Sequence, residues 1–264
     1  MDLNYIEYQF IYIWIMTANT REEHLYMAKI TEQTERFEDM LEAMNKVVQL
    51  NADLTVEERN LLSVAYKNTI GSRRTAWRAL SSIEKKEEQK GSKNLHLLRG
   101  YKTKIEDELN KYCKEILKLI SDLLLPKAGV AESKVFYNKM KGDYHRYISE
   151  YTTGDENKNA GDNAHDAYKE ATETAVSDLK TTHPIRLGLA LNYSVFYYEV
   201  RNDPKEACQL AKKAFDDAIA DIDQIDEDQY KDATTIMQLI RDNLTLWTSE
   251  LEEDGWSMHI PYYI

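Results

Sequence analysis

From about Glu22 to Glu250, apolar residues recur every three or four positions, the period of amphipathic helices. Breakers are few and fall between periodic runs. Asn51-Ala52-Asp53 separates two runs, and Thr55 with Glu58 forms a capping box for the second. Gly91-Ser92 interrupts a highly charged stretch, and Leu125 to Gly129 reads as a stop. Thr152 to Asp162 (TTGDENKNAGD) reads as the longest polar loop. Thr181-Thr182-His183-Pro184 and Asn202-Asp203-Pro204 each open a helix with proline at an allowed early position. Asp226 to Gln229 is the last short break. The pattern predicts an all-α chain of about nine helices whose short connections make them antiparallel neighbours. Helix pairs recur, but without a fixed repeat period.

Two terminal segments lose this pattern. Tyr5 to Met16 (YIEYQFIYIWIM) is too short and interrupted for a membrane helix, and lacks the basic start of a signal peptide. Residues 1–15 read as an extension upstream of a natural start at Met16, and residues 1–20 are set apart as an atypical N-terminal extension. The helical domain is placed at 21–250 and a C-terminal tail at 251–264.

Composition agrees with helices. The 264 residues include nine glycines and four prolines, where average usage would give about 32. So few turn residues disfavour sandwiches, barrels and glycine-rich phosphate loops. With 46 acidic and 34 basic residues the net charge is −12, which disfavours nucleic acid as a partner. Cys113 and Cys208 lie in helical patterns and read as buried free thiols of a reducing compartment. No Walker, dinucleotide or nucleophile-elbow motif is present. A di-iron bundle needs Glu-x-x-His pairs; the nearest match is Asp162-x-x-His165, placed in the polar loop. No cofactor or metal is expected.

Four helical stripes remain. Lys67, Arg74 and Arg78 share one face, as do Lys139, Asp143, Arg146 and Tyr147. Gly188, Leu191, Asn192, Val195, Glu199 and Ile236, Leu239, Ile240, Asn243, Trp247 are apolar ladders, each with one asparagine. Taken singly, the basic stripes read as wet faces and the ladders as core. Together they describe a groove for an extended phosphopeptide. Two arginines and a lysine suit a phosphate dianion, a tyrosine hydroxyl adds a donor, and two amides grip the ligand backbone.

Four runs carry a resemblance to the 14-3-3 family: Glu57 to Trp77 (EERNLLSVAYKNTIGSRRTAW), Ser133 to Tyr147 (SKVFYNKMKGDYHRY), Thr182 to Glu199 (THPIRLGLALNYSVFYYE) and Tyr230 to Ser249 (YKDATTIMQLIRDNLTLWTS). The resemblance spans roughly residues 21–249. It implies nine antiparallel helices forming a concave peptide-binding groove and dimerising through the N-terminal helices. It implies a non-enzymatic, cytoplasmic adaptor, with the nucleus as a second compartment, that clamps phosphoserine or phosphothreonine motifs of client proteins. The phosphate pocket would be Lys67, Arg74, Arg146 and Tyr147. Lys139, Leu191, Asn192, Val195, Glu199, Leu239, Asn243 and Trp247 would line the peptide groove.

The same resemblance implies a homo- or heterodimer. Arg36 and Asp39 match one side of inter-subunit ion pairs, Lys104 and Glu108 the other, and Glu23 with Lys93 a third pair. Tyr101 shares the face of Lys104 and Glu108, while Leu25, Ile30 and Ala76 supply burial. Thr31 and Thr34 replace the usual alanines of the seam, and Gly100 weakens the helix beside Tyr101. Ala76 replaces a serine whose phosphorylation opens the dimer in several members. The alternatives are a phosphate-independent helical scaffold, or a groove self-occluded by the tail.

Overall fold

A computed structural model describes residues 20–51 and 53–253. Among these, nine helices and no strand are found. They fall into two compact units, divided between Lys127 and Ala128. The proposed N-terminal extension and the tail beyond residue 253 lie outside the described residues.

The first unit begins with α1 (Arg21–Gln33), opened by a capping box that the sequence reading did not include. The Thr20 side chain accepts from the Glu23 N–H, and Glu23 accepts from the Thr20 N–H at 3.0 Å. α2 (Phe37–Leu50) buries Met40, Met44, Val47 and Val48, a stripe at helical spacing. α3 (Val56–Gln89) starts at the expected Thr55–Glu58 box and ends before Gly91, whose φ of +65° favours glycine.

α4 (Leu95–Leu119) runs without interruption through a π turn (Ile120–Leu124) into a final turn (Leu125–Lys127). The expected stop at Leu125 therefore falls after Lys127. Pro126 has no N–H to donate, and the widened turn keeps both Ile120 and Leu124 buried.

One arginine ties three helices of this unit together. Arg21 donates to both Glu58 carboxylate oxygens, at 3.2 and 2.6 Å, and to the carbonyls of Val47 and Asn51. The start of α1 is thereby fixed to the end of α2 and the start of α3.

The second unit comprises α5 (Ala131–Tyr151), α6 (Gly154–Asp178), α7 (Pro184–Glu199), α8 (Pro204–Ala220) and α9 (Tyr230–Glu253). The polar stretch expected as a loop is instead the beginning of α6. Its hydrophilic composition hides a narrow buried face: Ala160, Ala164, Ala167, Ala171 and Ala175 recur at helical spacing and are all buried. Asp155 and Glu156 favour the positive N-terminal end of the helix dipole. Asn157 donates to the Ser149 and Thr152 carbonyls, joining α5 to α6.

The break before α9 is longer than expected, running from Asp221 through a short 3-10 turn (Ile222–Gln224) to Gln229. His183 and Asp203 cap α7 and α8 as expected, each followed by proline. Cys113 and Cys208 are buried free thiols, and burial pushes the Cys208 thiol up to about 11.

Candidate functional site

The second unit joins two of the four stripes in one polar network, and packs the apolar ladder of α9 against that of α7. On α5, Lys139, Asp143, Arg146 and Tyr147 share a face as expected. Asp143 is buried at the centre. Its Oδ2 accepts from Lys139 Nζ at 2.8 Å. Its Oδ1 accepts from the Asn192 side-chain amide on α7 at 2.8 Å and from the Tyr168 hydroxyl on α6 at 2.6 Å.

Arg146 is only 6% exposed. Its Nε donates to the Tyr168 hydroxyl oxygen at 3.3 Å and its Nη1 to Glu199 at 3.3 Å, while Nη2 lies 4.0 Å from Asp143. Its guanidinium also covers the Tyr147 ring, 4.9 Å from the centroid, a favourable cation–π contact.

These contacts set the charge states. Burial pushes the Asp143 carboxyl up, but Lys139 and Arg146 more than offset it, so it stays below its ordinary value and ionised. Burial disfavours the Arg146 charge, yet Tyr168, Tyr147 and Asp143 hold it above its ordinary value. Tyr168 is pushed well up, first by burial and then by Asp143, so its hydroxyl keeps its proton.

The apolar ladders divide between core and surface. Leu191 and Val195 are partly buried against a core cluster that includes Leu187, Ile240 and Leu244. Leu239 is 47% exposed. Trp247 is buried in that cluster, its ring stacked on Tyr198 with centroids 4.9 Å apart, so it supports the ladder from within. Asn243 is half-buried on α9. Glu199, the last residue of α7, remains exposed except for its bond to Arg146.

In the first unit, Lys67 is exposed and Arg74 half-buried, two turns apart on one face of α3. Tyr26, Ile30, Leu97 and Tyr101 are apolar and exposed on α1 and α4. Leu25 and Ala76 are half-buried, while Lys93 and Lys104 are exposed. Within the protomer, Arg36 pairs with Asp39 itself. Glu108 accepts from Arg73 Nε at 3.0 Å, and Arg73 also holds Glu38. Thr31 and Thr34 return their hydroxyls to their own helix: Thr31 donates to the Met27 carbonyl at 2.7 Å and Thr34 to the Ile30 carbonyl at 3.1 Å.

Asp162 accepts from Arg201 at 2.8 Å, and His165 bonds to the Tyr193 hydroxyl at 3.0 Å. Among the described residues no group of histidine, cysteine and carboxylate side chains is arranged to hold a metal ion. No described helix is long and apolar enough to cross a membrane.

A family model described as "14-3-3 protein" matches residues 27–248. The chain belongs to the 14-3-3 family. It is 58% identical over 238 residues to the 14-3-3-like protein GF14 epsilon of Arabidopsis thaliana, covering 90% of this chain and 94% of that one. It is 56% identical to 14-3-3 protein 3 of Entamoeba histolytica, covering 90% and 99%. It is 60% identical to the 14-3-3-like protein GF14-F of Oryza sativa subsp. japonica, covering 89% and 92%. As a 14-3-3 protein it is a phosphoserine- and phosphothreonine-dependent adaptor for client proteins, not an enzyme, and its family forms dimers.

The sequence places Lys139, Asp143, Arg146 and Tyr147 on one face of α5 but does not single out Tyr168. Asp143 stood in the stripe, at helical spacing from Lys139 and Arg146. No pattern around Tyr168 distinguished it from the other core aromatics.

Proposed function

We propose that Arg146 and Tyr147, with Lys67 and Arg74, bind the client phosphate, and that Asn192 and Asn243 hold the client backbone. Lys67 and Arg74 enter this reading on the family resemblance. The observation that carries it is Arg146: a residue only 6% exposed, held ionised, whose Nη1 is paired with the exposed Glu199 carboxylate. A charge desolvated to this degree is costly unless it is paired. A bidentate phosphate is the ligand its planar fork matches best.

Lys139 flanks the site, and Leu191, Val195 and Leu239 offer apolar contacts to client side chains with Trp247 behind them. Glu199 adds a negative charge suited to a basic residue near the phosphosite. The exposed apolar residues of α1 and α4 support a dimer through the N-terminal helices. Arg36, Asp39, Lys104 and Glu108, with Glu23 and Lys93, set its register, and Ala76 removes the serine switch. A cytoplasmic location fits this role.

The test is fluorescence anisotropy of a labelled Arg-Ser-x-phosphoSer-x-Pro peptide and its unphosphorylated twin. Micromolar or tighter binding of the phosphopeptide alone is the expected result. Equal binding of both would mean a phosphate-independent scaffold.

A further inference from the structure

The Asp143 carboxylate is an odd group to find at an anion-binding site, because it repels the ligand. Its geometry explains its presence. Four donors from three helices face two oxygens: Lys139 and Arg146 of α5, Tyr168 of α6 and Asn192 of α7. With one amide hydrogen taken by Asp143, the Asn192 side chain is fixed in orientation. The Tyr168 hydroxyl relays the same carboxylate to Arg146, donating to Asp143 while accepting from Arg146 Nε.

The position of that hydroxyl is set by a glycine. A Cβ on Gly142 would stand 2.6 Å from two carbons of the Tyr168 ring, closer than atoms pack. Only a residue without a side chain lets the ring lie against α5. Stacking of the ring on Tyr193, with centroids 5.2 Å apart, closes its other face.

We infer that Asp143 and Tyr168, seated on Gly142, are positioning residues for the phosphate site, fixing Arg146 and Asn192 in their binding geometry before a client arrives. This rests on the function proposed above. Pre-organised donors spare the ligand the cost of ordering them. The carboxylate repels phosphate, and what it contributes in return is a single conformation for the residues around it. A carboxylate present only as a neutralising charge makes the opposite prediction for its own removal.

The experiment uses the full chain, with Tyr168→Phe as the principal variant and Asp143→Asn as the second. Tyr168→Phe removes one oxygen and leaves the ring on Gly142. Two quantities are read. The first is hydrogen exchange of the Arg146 Nε–H by NMR without ligand, with the Arg73 Nε–H of the first unit as internal control. The second is affinity for the phosphopeptide by anisotropy, with circular dichroism to confirm the helices.

The Arg146 Nε–H should exchange faster in Tyr168→Phe while that of Arg73 is unchanged. Phosphopeptide affinity should fall at least about tenfold in both variants. An unchanged Arg146 signal and wild-type affinity in Tyr168→Phe would overturn it. So would tighter phosphopeptide binding by Asp143→Asn, the result for a merely repelling charge. Should Asp143→Asn fail to fold, Tyr168→Phe decides. Wild-type protein that ignores the phosphate would refute the proposed function, while the exchange of Arg146 would still decide its positioning.

Discussion

Arg146 Nη1 lies 3.3 Å from Glu199 Oε2, joining a buried cation to an exposed anion at the last residue of α7. The carboxylate stands at the negative end of the helix dipole, where it is disfavoured. A phosphate arriving at Arg146 competes with it. Glu199→Gln is therefore expected to narrow the preference for phosphopeptides with an upstream arginine over those with alanine there, by up to about fivefold, since exposed pairs contribute about 0–1 kcal/mol. Anisotropy titrations of both peptides measure the ratio.

Lys67 and Arg146 differ in burial, and their variants should differ in stability. Lys67→Glu changes an exposed side chain; it should abolish phosphopeptide binding and leave the thermal midpoint within a few degrees of wild type. Arg146→Ala should also abolish binding, but it removes a partner from a buried network and should cost roughly 3–5 kcal/mol. Urea denaturation followed by circular dichroism separates the two.

Asn192→Ala should weaken phosphopeptide binding by about 1–3 kcal/mol, the cost of losing a bridge to the ligand backbone. The same change leaves Asp143 with one donor fewer. Isothermal titration should show the loss with one unchanged binding site per protomer.

Two glycines should respond oppositely to alanine. Gly142→Ala places a Cβ 2.6 Å from the Tyr168 ring and should destabilise by about 1–3 kcal/mol through overpacking. A Cβ on Gly100 would meet no atom within 4 Å, so Gly100→Ala should stabilise α4 by about 1 kcal/mol. Thermal unfolding of both variants gives the signs directly.

Glu58 links acid stability to the first unit. Burial pushes its carboxyl up, but hydrogen bonds from Arg21 and Thr55 outweigh it, and the folded value lies below the ordinary 4.5. The unfolded state therefore holds the proton more tightly. The stabilisation is fully present above about pH 4.5 and is lost as the pH falls through the folded value. Glu58→Gln should lower stability at neutral pH and flatten its decline below pH 4.5. Denaturant midpoints between pH 3 and 7 measure both.

Much of this protein was legible from residue order alone. Helical period, capping boxes and Pro-opened helices depend on neighbours within a few positions, so α3, α7 and α8 begin where the sequence places them. The Lys139–Asp143–Arg146–Tyr147 face is likewise a consequence of 3.6 residues per turn. The errors arose where local chemistry and burial disagree. The start of α6 is polar on three sides, and its alanine stripe gains meaning only once α5 packs against it.

Only the tertiary structure decided that Asp143 takes hydrogen bonds from α5, α6 and α7, that Tyr168 reaches it because Gly142 has no side chain, and that Trp247 is core. Sequence fixes which residues share a helix face, because backbone geometry is local. Which faces meet depends on contacts between residues far apart in the chain, and those contacts set the burial and hydrogen bonding of each charged group.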